Sequence, residues 1–161
     1  MIIKSLDHLN LISKKIADKL SENDLIYLTG EIGVGKTSLT RNLINYLQEK
    51  EGVKTTEVLS PTFNLLYEYE IKNYKIMHYD LYRIKEEKEL VNIGIFSEKQ
   101  KAVRIIEWPQ MIKNRFKEKL EIELNYTNNE NEREVSFKGF GKWSNFKNEL
   151  KNKKNIWRCF I

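Results

Sequence analysis

The chain has 161 residues, of which 40% are hydrophobic and 32% are charged, and its formal net charge is +5. This composition excludes a disordered chain and predicts one domain with a buried core. No apolar run approaches the roughly 18 residues of a membrane span. The start turns polar at Lys4, so we expect no signal peptide, and the single Cys159 cannot form an internal disulfide. We therefore expect a cytoplasmic protein with no membrane contact.

The positive charge is concentrated at the carboxyl end. Residues 142–161 hold one acid, Glu149, and six basic side chains: Lys142, Lys147, Lys151, Lys153, Lys154 and Arg158. We expect a single domain over residues 1–150 and a basic, aromatic tail over residues 151–161.

Two interpretations of this region stay open. Its aromatic residues are Trp143, Phe146, Trp157 and Phe160. They can pack on the core beneath solvated lysines, or they can stack on bases while the lysines contact a nucleic-acid backbone.

The sequence of the first third of the chain predicts two strands and two helices, with a glycine-rich motif between the second strand and the second helix. These are an edge strand at Met1–Lys4, a helix capped by Ser5 and ending near Ser21, a buried strand at Leu25–Thr29, and a helix from Ser38 to near Gly52. The apolar residues of both helices recur at helical spacing.

The motif is Gly30–Thr37, which fits Gly, four residues, then Gly-Lys-Ser/Thr. Its glycines let backbone N–H groups close around phosphate oxygens. Lys36 can reach the β- and γ-phosphates, and the Thr37 hydroxyl can bind Mg²⁺. The strand before it and the helix after it are the context that this motif requires. The alternative is a glycine-rich turn with no ligand.

The middle of the chain begins with a predicted strand at Thr55–Leu59 and the turn Ser60-Pro61-Thr62-Phe63. Two hydroxyl groups flank the proline, so the turn either contacts phosphate or metal, or it is an ordinary turn.

A hairpin is predicted next, with strands at Asn64–Ile71 and Tyr74–Leu81. His78 and Asp80 lie two residues apart, so a strand would place them on one face. A zinc pair lacks support from any other His or Cys cluster, and a structural histidine is the commoner case. Asp80, in contrast, could hold Mg²⁺ near a phosphate loop.

A second acid follows a second buried strand. A helix at Lys85–Asn92 ends at Gly94, and Ser97 with Gln100 resembles a capping box. The strand Ala102–Ile106 then leads into Glu107, where the second acidic motif of phosphate-loop nucleotidases lies. The alternative is an ordinary acid at the end of a strand.

The remaining residues predict a hairpin and a last helix. The hairpin strands are Leu120–Leu124 and Val135–Phe137, and Trp143, Phe146 and Leu150 line one face of the helix.

Several of these motifs together resemble one family, the bacterial ATPase subunit of the tRNA threonylcarbamoyladenosine machinery (TsaE, formerly YjeE). The matching blocks are Gly30–Thr37, Ser60–Phe63, His78–Arg83, Glu89-Leu90 with Ile93-Gly94, and Ile106–Pro109. The phosphate loop is widespread among proteins, whereas the Asp-Leu-Tyr-Arg and Glu-Trp-Pro blocks together are more specific.

The resemblance implies a fold and a set of site residues. The fold class would be α/β, a P-loop nucleotide-binding fold with a central parallel sheet flanked by antiparallel strands and helices. Lys36, Asp80 and Glu107 would be catalytic, and Mg²⁺ would be held by Thr37, Asp80 and Glu107. ATP or ADP would contact Glu31, Ile32, Gly33, Val34, Gly35, Lys36, Thr37, Ser38, Ser60, Thr62 and Trp108. Ser60–Phe63 would act as a nucleotide-sensing switch, and Trp108 would move with the nucleotide state.

The resemblance also implies partners. The protein would bind the two actin-like-ATPase-fold subunits of the threonylcarbamoyl transferase complex, and would contact tRNA indirectly or weakly. ATP hydrolysis would support turnover of the transferase, slowly in isolation and faster in the complex. Arg83 is the candidate arginine finger.

The main alternative is a small-molecule kinase that uses the same loop. Such an enzyme needs an acceptor pocket and commonly an arginine-rich lid, whereas this chain devotes its middle to hairpins.

Overall fold

The computed structural model of the chain describes residues 1–97, 101–112 and 114–152. Its strands are β1 (Ile2–Ile3), β2 (Leu25–Thr29), β3 (Leu66–Ile71), β4 (Tyr74–Asp80), β5 (Ala102–Glu107), β6 (Leu120–Tyr126) and β7 (Arg133–Gly139). Its α-helices are α1 (Leu6–Ala17), α2 (Lys36–Lys50), α3 (Glu87–Asn92) and α4 (Phe146–Asn152), with short 3₁₀ helices at Pro109–Ile112 and Gly141–Trp143. Gln100 of the predicted capping box lies outside the described residues, as does the predicted tail from residue 153 onward, whereas residues 151 and 152 end α4.

The strands form one mixed sheet in the order β1-β7-β6-β2-β5-β4-β3. The four central strands run parallel, whereas β7 and β1 on one side and β3 on the other are antiparallel to their neighbours. The α/β fold with a central parallel sheet and antiparallel flanks is thereby confirmed. Glu107 pairs in register with both Leu28 and Asp80, so β2, β4 and β5 end at the same edge.

Each face of the sheet carries its own core, because successive side chains of a strand point to opposite faces. On one face, α1, α2 and α4 cover Ile26, Ile105 and Ile122. On the other face, α3 and its flanking segments cover Tyr27, Met77 and Ile106 among others.

Helix α1 illustrates how the sequence specifies these layers. Leu9, Ile12 and Ile16 recur at helical spacing and are buried against the sheet. Ser5 caps the helix, since its Oγ accepts a hydrogen bond from the backbone N–H of His8 at 3.3 Å. The helix ends at Ala17, earlier than predicted.

The predicted strand at Thr55–Leu59 is wrong. This segment is irregular, and its backbone groups bind side chains rather than a neighbouring strand. The Gln48 side chain accepts a hydrogen bond from the Thr56 N–H at 3.0 Å and donates one to the Glu70 carbonyl at 3.3 Å. Val58 is the buried apolar anchor of the segment.

The prediction that Trp143 lies on the last helix is also wrong, because it lies in the 3₁₀ turn before α4. It is nevertheless buried together with Phe146 and Leu150. The three side chains pack on the core, so in the described part of this region the interpretation of aromatics stacked on bases is not supported. Within residues 1–97, 101–112 and 114–152, no helix has the length and apolar character to cross a membrane.

Candidate nucleotide site

The loop between β2 and α2 requires glycine at two positions. Gly30 has φ +136°, and a Cβ added there would lie 2.2 Å from the carbonyl oxygen of Leu124. Gly35 has φ +119° and is the residue immediately before α2. A side chain is disfavoured at both angles, so the glycines of the motif allow the path that the backbone follows.

Lys36 folds back over this loop. Its Nζ donates hydrogen bonds to the carbonyl oxygens of Gly30 and Glu31, both at 2.8 Å, and lies 4.2 Å from the centre of the Trp108 ring. Burial lowers the pKa of Lys36 below its ordinary value of 10.5, while Glu107 and Asp80 act in the opposite direction. The ammonium group is thus held at the mouth of the loop, close to two acids.

Glu107 joins the loop to the sheet. Its Oε1 accepts a hydrogen bond from the Thr37 hydroxyl at 2.8 Å and lies 2.9 Å from the Nε2 of His78. Glu107 and His78 are 2% and 0% exposed, which makes these contacts strong determinants of where the carboxylate points. The Nδ1 of His78 has no hydrogen-bond partner within the described residues.

Asp80 joins the turn after Leu59 to the same edge. Its Oδ2 accepts a hydrogen bond from the Thr62 hydroxyl at 2.6 Å, and its Oδ1 accepts one from the Tyr82 N–H at 2.9 Å. The Thr62 hydroxyl also lies 2.9 Å from that of Ser60. These hydrogen bonds connect Asp80 to the Ser60–Phe63 segment.

Trp108 follows Glu107 in a left-handed conformation, with φ +57°. The backbone N–H of Trp108 donates a hydrogen bond to the Leu28 carbonyl oxygen at 3.1 Å. The centre of its indole ring lies 4.9 Å from the centre of the Tyr82 ring. The turn folds the indole over Lys36 instead of continuing the strand.

These groups surround a cleft of about 230 Å³ at the carboxyl end of the parallel strands. The lining residues are Ile32, Gly33, Gly35, Lys36, Thr37, Ser38, Ser60, Thr62, Asp80, Tyr82, Glu107 and Trp108. Ligand sites of open α/β sheets lie at this edge. The cleft therefore brings together all but two of the residues predicted for the site.

The two exceptions are Glu31 and Val34. The Glu31 side chain is exposed, and this residue contributes its carbonyl oxygen to Lys36, whereas Val34 is buried in the core. Nucleotide binding by either residue stays a prediction.

Two contacts were not predicted from the sequence: that of His78 with Glu107, and that of Tyr82 with Trp108 in the lining of the cleft. The periodicity of β4 gives the face of His78 but cannot reveal its partner on β5. The signal that could have found both is the His78–Arg83 block of the resemblance.

The same contacts bear on the two metal sites considered from the sequence, a zinc pair and a Mg²⁺ site. Among the described residues there is no group of three or more His, Cys, Asp or Glu side chains that could hold a metal, and His78 bonds to Glu107. Thr37, Asp80 and Glu107 offer one hydroxyl and two carboxylate groups, which are the hard oxygen donors that suit Mg²⁺. Their chemistry fits the predicted ion.

Comparison with known proteins assigns the family. A sequence model described as "Threonylcarbamoyl adenosine biosynthesis protein TsaE" matches residues 3–135. The chain belongs to the TsaE family. The matched range includes every residue of the cleft, and the carboxyl-terminal region lies beyond it.

Relatives of this TsaE-family chain carry the name "tRNA threonylcarbamoyladenosine biosynthesis protein TsaE". The protein from Rickettsia conorii is 38% identical over 103 residues, which span 64% of this chain and 57% of that protein. The protein from Rickettsia felis is 34% identical over 114 residues, which span 71% of this chain and 64% of the relative. The matches thus span less than two thirds of these two relatives. The protein from Bacillus subtilis is 30% identical over 132 residues, or 81% of this chain and 78% of the relative.

The solved structure of Bacillus subtilis YdiB superposes with a TM-score of 0.68 at 23% identity, covering 100% of this chain and 95% of that one. At this identity the likeness shows the fold alone.

Proposed function

We propose that this TsaE-family protein is a Mg²⁺-dependent P-loop ATPase and an accessory subunit in the threonylcarbamoylation of tRNA at position 37. One observation carries the enzymatic part: the loop and two adjacent parallel strands bring Lys36, Thr37, Asp80 and Glu107 into one cleft. The description of the family and the names of its relatives support the pathway.

Phosphoryl transfer to water requires charge neutralisation and an oriented nucleophile. The side chains of the cleft are suited to supply the first and to position the second. The loop N–H groups and Lys36 would bind the phosphates, with Lys36 exchanging its two carbonyl partners for phosphate oxygens. Thr37, Asp80 and Glu107 would hold Mg²⁺, which supplies further neutralisation of phosphate charge. Glu107, held by Thr37 and His78, is the best-oriented candidate to accept a proton from the attacking water.

Slow hydrolysis in isolation follows from what the cleft lacks. Among the described residues that line it there is no arginine. The guanidinium of Arg83, the candidate arginine finger, lies 5.1 Å from the centre of the exposed Phe63 ring instead. We therefore expect the two actin-like-ATPase-fold subunits to stimulate ATP hydrolysis by this protein. We expect this to take place in the cytoplasm, and we expect the protein to contact tRNA indirectly or weakly.

The test is Mg²⁺-dependent phosphate release from ATP, measured with and without the two partner subunits, for the wild type and Glu107→Gln. Loss of a catalytic base should lower the rate by about 10²-fold or more while ATP binding persists. Glu70→Gln is the matched control, since this side chain is 70% exposed on the edge strand and outside the cleft.

The parts of this proposal can be contradicted separately. Wild-type protein that does not bind ATP in the presence of Mg²⁺ would contradict the ATPase assignment. Equal rates with and without the partner subunits would contradict the accessory role. Transfer of labelled phosphate to a small-molecule acceptor would favour the kinase alternative.

A further inference from the structure

The side chain of Glu107 is held through only one of its two carboxylate oxygens. The Thr37 hydroxyl and the Nε2 of His78 both bond to Oε1, at 2.8 Å and 2.9 Å. Within the described residues no hydrogen bond reaches Oε2, although Glu107 lines the cleft. Oε2 is therefore the oxygen that is available to a water molecule or a metal ion in the cleft.

The two groups that bond to Oε1 have different surroundings. Thr37 lies in the first turn of α2 and lines the cleft, and its hydroxyl is also the expected ligand of Mg²⁺. His78 belongs to β4, is 0% exposed and does not line the cleft. The contact with His78 is thus the one that can hold Glu107 while a nucleotide and its metal ion exchange at Thr37.

Neighbouring strands enclose the ring of His78. In register, His78 lies opposite Tyr67 of β3 on one side and Ile105 of β5 on the other. Side chains that are opposite in register share one face of the sheet and contact each other. A fully buried ring between two such neighbours has little room to turn, so its Nε2 stays directed at Glu107.

The hydrogen bonding of the ring assigns its proton. The Nδ1 of His78 is buried and has no hydrogen-bond partner within the described residues. A proton on Nδ1 would leave a buried donor unpaired, whereas a proton on Nε2 is donated to Oε1 of Glu107. One ring nitrogen still lacks a partner, and an unpaired polar atom in a core calls for an explanation beyond packing.

A second acid adjoins Glu107. Asp80 is its partner in register across β4 and β5, and the two residues are 3% and 2% exposed. Asp80 has hydrogen-bond donors of its own, the Thr62 hydroxyl and the Tyr82 N–H. Because each carboxylate has separate donors, the orientation of Glu107 depends on His78 and not on the contacts of Asp80.

We propose that His78 is a positioning residue for ATP hydrolysis, whose Nε2–H fixes Oε1 of Glu107 and thereby directs Oε2 into the cleft. This inference rests on the proposed function of the protein as an ATPase. His78 itself touches neither the nucleotide nor the attacking water. Without it the carboxylate can rotate, and a misplacement of about 1 Å in a reacting group can lower a rate about 10²-fold.

The first experiment measures kcat and KM for ATP with Mg²⁺ and the partner subunits, in the wild type, His78→Leu and His78→Gln. Leucine fills the site but cannot donate a hydrogen bond, whereas the amide of glutamine can. We expect His78→Leu to lower kcat about 10- to 100-fold with KM within about twofold of the wild type, and His78→Gln to recover most of the lost rate.

The matched control for lost stability is Ile76→Ala. Ile76 lies on the same face of β4, is 0% exposed and does not line the cleft. Its truncation leaves a cavity and destabilises the fold without touching Glu107, so kcat should not change. Circular dichroism checks that each variant is folded at the assay temperature.

The second experiment tests whether His78 acts through Glu107. His78→Leu is introduced into Glu107→Gln, and the two single variants and the double variant form a cycle. We expect the double variant to hydrolyse ATP at the rate of Glu107→Gln, because no carboxylate is left to position. A loss by the same factor in both backgrounds would indicate a structural role and overturn the proposal.

Nitrogen-15 NMR provides a readout that does not depend on activity. The chain has two histidines, His8 and His78, so histidine labelling yields two ring systems, which His8→Gln assigns. We expect His78 in the Nε2–H form, with ring signals that shift in Glu107→Gln. The Nδ1–H form, or ring signals that do not shift, overturns the proposal.

The kinetic results separate this proposal from the proposed function. An active wild type with equal kcat in His78→Leu, or a loss that glutamine does not reduce, overturns the role of His78 and leaves the ATPase intact. A wild type that hydrolyses no ATP contradicts the ATPase, and the NMR spectra still test the contact between His78 and Glu107.

Discussion

Gly30→Ala tests whether the phosphate loop is held by its fit against the sheet. The new Cβ would lie 2.2 Å from the Leu124 carbonyl oxygen and 2.9 Å from Cγ1 of Val34, at a φ of +136°. Leu124 cannot retreat easily, because β6 is paired with β2 on one side and with β7 on the other. Backbone strain of about 1–3 kcal/mol and overpacking of a similar size add to a loss of about 4 kcal/mol.

Gly52→Ala is the matched control. Gly52 also has positive φ, +67°, but a Cβ there would meet nothing within 4 Å. Its left-handed conformation costs about 1–2 kcal/mol, partly offset by about 0.4–1 kcal/mol from the stiffer unfolded chain. We expect a net loss of about 1 kcal/mol.

The assay is urea unfolding followed by circular dichroism, supported by thermal melts. A loss of about 4 kcal/mol corresponds to a fall in Tm of roughly 8–16 °C for a chain of this size. If Gly30→Ala and Gly52→Ala unfold within about 0.5 kcal/mol of each other, the contact with Leu124 does not constrain the loop, and the reasoning is refuted.

Three further perturbations test the contacts around the two acids. His78→Leu should lower the free energy of unfolding by about 1.5–3 kcal/mol in urea titrations, because buried Glu107 loses a partner; a loss below about 0.5 kcal/mol contradicts this. Thr62→Val should cost about 1 kcal/mol by the same assay through the lost bond to Asp80, whereas Thr62→Ser should be close to the wild type; equal losses in both variants contradict it. Lys36 has a lowered pKa in the folded state, so the unfolded chain binds more protons between that pKa and 10.5. The stability of the wild type relative to Lys36→Met should therefore rise as pH approaches 10.5, and a pH-independent difference contradicts this.

Structural features that depend on residues close together in the chain could be predicted from the sequence. The bounds of β2 and the Ser5 cap follow from a short apolar run and a single hydroxyl, and the structure confirms both. The position of Glu107 at the end of a buried strand could be predicted for the same reason.

Features that depend on a hydrogen-bond partner far along the chain could not be predicted from the sequence. Thr55–Leu59 has strand propensity, but strand formation requires a neighbouring backbone, and here the Gln48 side chain takes the hydrogen bonds. The contact of His78 with Glu107 crosses from β4 to β5, and periodicity within one strand carries no information about it.

The placement of β2 has a consequence for how the chain folds during its synthesis. Leu25 pairs with Arg104 on one side, and Ile26 pairs with Leu120 on the other. Both neighbours must be synthesised before the strand that carries the phosphate loop is enclosed, and pairing over such separations is slow. The packing of α1 on α2 needs only early residues and can precede it. The loop is complete as sequence by Thr37, yet the strand that carries it gains its second neighbour only once β6 has been synthesised.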